Sequence, residues 1–181
     1  MPENLIPVIP CGGSALLKSD EILNAITDVG FVYLQDCGIP EALVCTMMSE
    51  AKSFWSLSSE TKKKYARQNV TEGQPKNSGY VAPGVEKLDS NLKRFELREA
   101  YNITPRDGHI LLPDEDVPNL RPSVMEFLDV CKKVAHEILD ALGKELKFKD
   151  AEYFKKAHLS PLNATTLRLL HYPPLEDTVG T

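Results

Sequence analysis

The side chains best suited to hold a metal or move a proton are the four histidines, His109, His136, His158 and His171. A two-histidine, one-carboxylate iron site opens with His-x-Asp or His-x-Glu on a strand, because a period of two puts both side chains on one face. Two positions beyond these histidines stand Leu111, Ile138, Ser160 and Pro173, none of them a carboxylate. His136 and Glu137 are adjacent on a helical segment and so point about 100° apart. All four histidines therefore read as structural or surface residues; His171, on the terminal β-rich run, is the least ordinary. No GxSxG, Walker loop, GxGxxG or HExxH occurs, and Gly12-Gly13-Ser14 is too short to cradle a phosphate. Cys11, Cys37, Cys45 and Cys131 form no CxxC and read as small buried or half-buried thiols.

Composition narrows the classes further. The chain has 181 residues, 42 % hydrophobic and 26 % charged, which is ordinary for a globular protein able to bury a core without staples. Its 21 Lys+Arg against 26 Asp+Glu leave a net charge of -5, which argues against a nucleic-acid binder. No apolar run reaches the ~18 residues of a membrane span, and Met1-Pro2-Glu3-Asn4 lacks the basic and apolar regions of a signal peptide. The expectation is a cytoplasmic protein, and Asn69 and Asn163, each opening an Asn-x-Thr triplet, read as chance.

The elements that must position any site follow from periodicity. Leu5 to Ile9 is a short β-like run held to an edge by its prolines. Ser19 is a candidate N-cap for a helix whose buried face is Ile22, Ala25, Ile26 and Val29, stopped at Gly30. Phe31 to Leu34 is of strand length, and Pro40 suits the first turn of a helix with the stripe Leu43, Met47, Ala51, Phe54 and Trp55. Around Glu60 to Tyr65 a short helix carries Lys62, Lys63 and Lys64, a run expected to face solvent. Residues 69–90 read mostly as loop. Phe95, Leu97, Glu99, Tyr101 and Ile103 alternate with polar neighbours, a half-buried strand with one polar exception, Glu99, on its apolar face. After a proline-rich loop, Ser123 and Glu126 suggest a capping box that opens a long core helix ending at Gly143. A short helix near 151–157 and a β-rich run from Thr165 to Tyr172, stopped by Pro173-Pro174, complete the series.

Several of these segments, in order, resemble the isopenicillin N synthase-like family of non-haem iron(II)/2-oxoglutarate-dependent oxygenases. "LIPVIPCGG" is similar to the family's opening strand. "ILNAITDVGFVYLQDCGIPEALV" resembles its helix, strand and HGIP turn, with Cys37 where the family usually has His. "AKSFWSLSSETKKKY", "SGYVAPGVEKLD" and "KRFELREAYNI" are similar to its following helix, its GY segment and its KE.F strand. "VMEFLDVCKKVAHEILDALGKEL" resembles the long helix before the catalytic core, and "TTLRLLHYPPLED" the first strand of that core.

The resemblance implies an α/β (α+β) fold: the N-terminal α/β region of a double-stranded β-helix, or jelly roll, with only its first core strand present. On that pattern residues 1–122 form the N-terminal non-haem dioxygenase-type region, 123–163 the long core helix and a short helix, and 164–181 the first strand of an incomplete jelly-roll domain. The family's iron ligands, His-x-Asp and a distant His, and its Arg-x-Ser anchor for 2-oxoglutarate all follow the YPP segment. The expectation is thus an N-terminal part of an oxidoreductase that uses O₂ and 2-oxoglutarate on a small organic molecule, giving succinate and CO₂. By itself the chain is expected to be inactive and to bind neither iron(II) nor 2-oxoglutarate tightly. Four positions carry over: Tyr172 and Arg168 toward the cosubstrate, Tyr80 and Arg98 toward the substrate. Leu170 stands where plant members often have an Asn that helps hold the cosubstrate. An alternative reading for Arg98 is a surface arginine paired with Glu96 or Glu99. The alternative for the whole chain is a non-catalytic interaction protein that pairs its exposed terminal strand edge with a partner or a full-length relative.

Overall fold

A computed structural model describes residues 5–69, 77–86, 97–105, 110–159 and 165–174. The Phe95 end of the β alternation, His109 and the Asn163 triplet lie outside these residues. The chain divides into two units, one of residues 1–47 and 122–163, the other of residues 48–121 and 164–181.

In the first unit β1 (Val8–Pro10) pairs in parallel with β2 (Tyr33–Gln35), joined by the crossover helix α1 (Ser19–Asp28). Ile9, Cys11, Ala15, Ile22 and Ala25 form the core, with Val32, Leu34, Cys37 and Ile138 packed against it. The α1 stripe is narrower than its periodicity suggests: Ile22 and Ala25 are buried, Ile26 and Val29 exposed. Nor does Ser19 cap the helix. A 3₁₀ turn, Ala15–Lys18, precedes it, Lys18 holds the cap position, and Ser19 Oγ donates to Glu145 Oε1 at 2.6 Å. A carboxylate from the long helix thus takes the hydroxyl. Glu137 of the same helix accepts from Ser14 Oγ at 2.8 Å and from the Ala15 N–H at 2.9 Å, satisfying a donor that a helix start leaves open.

That long helix, α4 (Leu120–Glu145), starts three residues before Ser123 and ends two after Gly143. Pro122 therefore sits in its first turn, where no N–H is needed, and Ser123 is an interior, buried residue instead of a cap. Gly143 is inside the helix for another reason: a Cβ there would lie 2.0 Å from the Ala151 carbonyl oxygen. The turn before α5 (Tyr153–His158) packs against bare backbone, and the contact is fixed by Lys155 Nζ to Asp140 at 3.1 Å. Cys45, on α2 (Glu41–Trp55), is exposed, contrary to the expectation for the thiols, while Cys11 is buried. No helix among the described residues is long and apolar enough to cross a membrane.

The second unit is built on an antiparallel sheet ordered β3 (Gly79–Val81), β4 (Glu99–Ile103), β5 (Leu167–His171). β3 lies within the stretch read as loop; its three residues are too few for a visible alternation. Every residue of β4 is buried, so this strand is covered on both faces and is not half-buried. β5 keeps a clean alternation, with Leu167, Leu169 and His171 half-buried and Arg168 and Leu170 exposed. Phe54, at the end of α2, is fully buried and meets Trp55, Tyr80 and Tyr101 edge-on at centroid distances of 5.0, 5.9 and 4.8 Å.

Alanine normally improves a helix interior over glycine by about 1 kcal/mol. At Gly143 the sign should reverse. Gly143→Ala is expected to lower unfolding stability by about 1–3 kcal/mol through overpacking against Ala151. Equilibrium urea denaturation checks it, and a stabilised variant would show that the turn does not pack as described.

Candidate functional site

β4 carries a carboxylate where its alternation called for an apolar side chain. Glu99 is 6 % exposed, and its burial has to be matched by donors. Three elements supply them. Lys62 Nζ, from α3 (Ser59–Lys64), reaches both oxygens at 2.9 and 3.1 Å. Tyr80 of β3 donates its hydroxyl at 2.6 Å, and His171 of β5 sets Nδ1 2.7 Å away. Burial pushes the Glu99 carboxyl up, but the bonds from Tyr80, Lys62 and His171 outweigh it and hold the group below the usual carboxylate range. Burial and the same carboxylate push the Tyr80 hydroxyl well up, so it stays protonated and can donate.

Lys62 departs from the reading of the lysine run as a solvated face, while Lys63 and Lys64 are exposed as expected. Lys62 is 7 % exposed, and it also donates to the Trp55 carbonyl at 3.2 Å. Its position three residues before Tyr65 and four before Ala66 placed it on the inward side of a helical turn, a signal the charge run obscured. The Trp55 ring stacks on His171 at 5.5 Å with planes 16° apart. Gly79, at φ +115°, lets β3 come close enough for the Tyr80 N–H to donate to the Tyr65 carbonyl at 2.7 Å; a Cβ on Gly79 would meet that oxygen at the same distance.

Cross-strand register sorts the sheet into two faces. Tyr80 lies opposite Tyr101, which lies opposite Leu169, and Glu99 lies opposite His171. These side chains share the face that holds the carboxylate. Val81, Ala100 and Leu170 are aligned on the other, together with Asn102 and Arg168. By alternation Arg98 and Tyr172 belong to that second face. Of the four residues singled out from sequence, Arg98 and Arg168 are brought together, Tyr172 is 68 % exposed, and Tyr80 is turned away to Glu99.

Arg98 and Arg168 meet on Glu86, a residue without any distinguishing sequence signal. Arg98 Nη2 lies 3.2 Å from Glu86 Oε2, Arg168 Nη2 bonds the same oxygen, and Arg67 Nη1 lies 3.1 Å from Oε1. Among the described residues Arg98 has Glu86 as a partner, and Glu96 lies outside those residues. The Arg168 hydrogen bond, with help from Arg67 and Arg98, holds the Glu86 carboxyl below its usual range. Two hollows flank this face. One, of about 380 Å³, is lined by Lys63, Arg67, Val81 and Val85 among others. The second, of about 740 Å³, runs between the end of α2 and β5, along Met48, Trp55, Leu170 and His171. Among the described residues no three His, Cys, Asp or Glu side chains are grouped to hold a metal ion.

Comparison with known proteins gives these features a setting. The family described as "non-haem dioxygenase in morphine synthesis N-terminal" matches residues 6–124. The chain is 29 % identical to the proline hydroxylase buaE of Petromyces alliaceus over 87 % of its own length and 50 % of that protein's. It thus spans about half the length of this relative. A 2OG-Fe(II) oxygenase family protein of Caulobacter crescentus superposes on it with a TM-score of 0.76 at 26 % identity, over 96 % of this chain and 58 % of that one. A full-length Neurospora crassa protein solved in complex with alpha-KG does so with a TM-score of 0.73 at 25 % identity, over 96 % and 57 %.

The Glu99 network fixes the sign of a pH effect. A carboxyl whose folded-state pKa is depressed adds stability that is fully present above its unfolded-state value, near 4.5. That stability is lost as pH falls through the folded-state value. Urea titrations from neutral to acid pH should show this loss, and Glu99→Gln should flatten it. Lys62→Met, which strands the buried carboxylate, is expected to cost about 3–5 kcal/mol at neutral pH. A cost under about 1 kcal/mol would mean the pair is solvated.

Proposed function

The chain belongs to the non-haem dioxygenase family, matched over residues 6–124, and from that premise we propose that it supplies the N-terminal half of an iron(II)/2-oxoglutarate-dependent oxygenase acting on a small organic molecule in the cytoplasm. The observation that carries the reading is the superposition of 96 % of the chain on 58 % of a 2OG-Fe(II) oxygenase family protein. In this reading the face of β5 that carries Arg168 and Leu170 looks toward the reaction chamber. Arg168 and Tyr172 approach the cosubstrate, and Arg98 meets the substrate. Tyr80 borders the chamber through its place on β3 and contributes no free hydroxyl, since Glu99 holds it. Leu170 adds an apolar wall between Arg168 and Tyr172.

The described residues do not fit iron. The reading therefore gives this chain the work of shaping the chamber and excluding water, and the ion's ligands to sequence that follows the YPP segment in family members. Sequencing the transcript past codon 181 tests it. A downstream reading frame with His-x-Asp, a distant His and Arg-x-Ser supports the proposal, and a stop codon there sinks it. The purified 181-residue chain, given iron(II), ascorbate and 2-oxoglutarate, is expected to release no succinate above the protein-free blank. Succinate release abolished by a chelator would overturn the inactivity.

A second reading is favoured by one feature of the sheet. β5 pairs with β4 and with no other strand among the described residues, while Leu170 and Tyr172 beside its open edge are exposed. An edge of this kind accepts a further strand. In this reading the chain acts as an interaction protein, adding β5 to a partner such as a full-length relative. Co-elution with such a relative in size-exclusion chromatography, lost on Leu169→Pro, is expected. Separate elution at micromolar concentrations would dismiss it.

A further inference from the structure

We propose that Cys11 and Cys37 form a reversible disulfide, a modification site in the first unit whose co-reactant is a hydroperoxide. The inference stands apart from the oxygenase reading and uses none of the four positions assigned there.

The two cysteines are distant in sequence but close across the parallel sheet. Pro10 of β1 pairs with Gln35 of β2, and the ladder runs on past both strands. The Cys11 N–H donates to the Gln35 carbonyl at 2.7 Å, and the Gly13 N–H to the Asp36 carbonyl at 2.6 Å. Cys11 shares its inward face with Ile9, two positions before it, and both are buried. On β2 the inward residue is Leu34, so alternation alone would turn Asp36 inward and Cys37 out. Asp36 breaks that order. Its φ of +53° is left-handed, the residue is exposed, and the inward place passes to Cys37, which packs against the core that contains Cys11. The kink thus brings a second thiol to the core face where a regular strand would put a carboxylate.

Electrostatics report the same closeness. After burial, Cys37 is the strongest influence raising the Cys11 thiol, ahead of Asp36 and Glu137, while Lys18 opposes them. Cys37 also raises Cys131, which lies two turns before Ile138 on α4. Adjacent strands run about 4.8 Å apart, within the Cα separation of about 4.4–6.8 Å that a disulfide spans. α4 belongs to another layer, so Cys131 is the less suited partner. Exposure orders the chemistry. Cys37 is half-buried and meets an oxidant first, whereas Cys11 is 1 % exposed and is reached from Cys37. The hydroperoxide gives one oxygen to the Cys37 sulfur, which becomes a sulfenic acid, and leaves as an alcohol, or as water when it is hydrogen peroxide. The Cys11 sulfur then attacks the Cys37 sulfur, the S–O bond breaks, and the departing hydroxide takes the Cys11 proton and leaves as water. Two thiols are oxidised and one peroxide is reduced, and a dithiol reverses the bond by exchange. Burial keeps the Cys11 thiol protonated and unreactive toward the oxidant by itself, which suits the resolving partner.

The test oxidises the reduced 181-residue chain with one equivalent of hydrogen peroxide in native buffer, blocks the remaining thiols with N-ethylmaleimide, and maps the digest by mass spectrometry. The expected product is a monomer that has lost two of its four thiols, with the Cys11 and Cys37 peptides joined and the link removed by dithiothreitol. Cys37→Ser is expected to abolish the link, and Cys131→Ser and Cys45→Ser to leave it intact. Oxidised wild type should unfold at a higher urea concentration than reduced wild type, because the link closes a loop that contains α1 and confines the unfolded chain. The proposal is overturned if Cys37 is joined to Cys131 instead, if Cys37 goes on to a sulfinic acid without a link, or if the product is a dimer through Cys45. A urea midpoint that falls on oxidation also overturns it, since the fold would then have to distort to close the bond. Far-UV circular dichroism shows that each variant is folded, and the wild-type peptide map decides the question even where a variant is not.

Discussion

One buried carboxylate organises the sheet-bearing unit. Glu99 lies inside, and a charge in that position is tolerated only if donors reach it with good geometry. Those donors come from α3, β3 and β5, which are separated along the chain and meet at this residue. The arrangement specifies register as well as contact. A slip of β5 by one residue would turn His171 to the opposite face and leave Glu99 short of a partner. It would also turn Arg168 and Leu170 to the face that holds Glu99. The orientation of the candidate site on one side of the sheet is thus set by an ion pair on the other.

That division explains why residues with similar sequence credentials have different fates. Tyr80 and Arg98 fall in segments that resemble pocket-bordering stretches of the oxygenase family. Only Arg98 lies on the face that carries Arg168. Tyr80 spends its hydroxyl on Glu99 at 2.6 Å, and a substrate could claim that hydroxyl only by leaving a buried carboxylate with one donor fewer. The loss of such a bond to a charged group is worth about 1.5–3 kcal/mol, more than a single new neutral hydrogen bond returns. Tyr80 is therefore held to structure by energetics, whatever its place in the chain suggests.

Much of this was legible in the sequence where a pattern repeats several times. α4 and α2 have long stripes and β5 is a β-rich run stopped by two prolines, and they were read to within a few residues. Alternation exposed Glu99 as the polar exception on β4. Its partners were hidden because pairing across strands is not written in local spacing. Lys62 was masked by its lysine neighbours, and Glu86 and Arg67 carry no motif at all. The start of α4 was misplaced because Pro122 looks like a stop, although a proline in a first turn costs no hydrogen bond. Ser19 looked like a cap for want of any local hint that Glu145, 126 residues away, would take its hydroxyl.

The two acids of the sheet-bearing unit make opposite use of the same interaction. Glu99 is enclosed, meets its donors at 2.6 to 3.1 Å, and gains from every one of them because none can be replaced by water. Glu86 is about a quarter exposed and meets guanidinium groups that water can also reach. Reaching Glu99 would require opening the sheet, whereas Glu86 meets solvent where it stands. The enclosed carboxylate fixes the register of the strands, and the solvent-accessible one draws together side chains that those strands carry. Guanidinium groups keep a fixed geometry on a shared carboxylate only when the strands that carry them cannot shift, so the Glu86 cluster depends on the Glu99 network on the other face of the sheet.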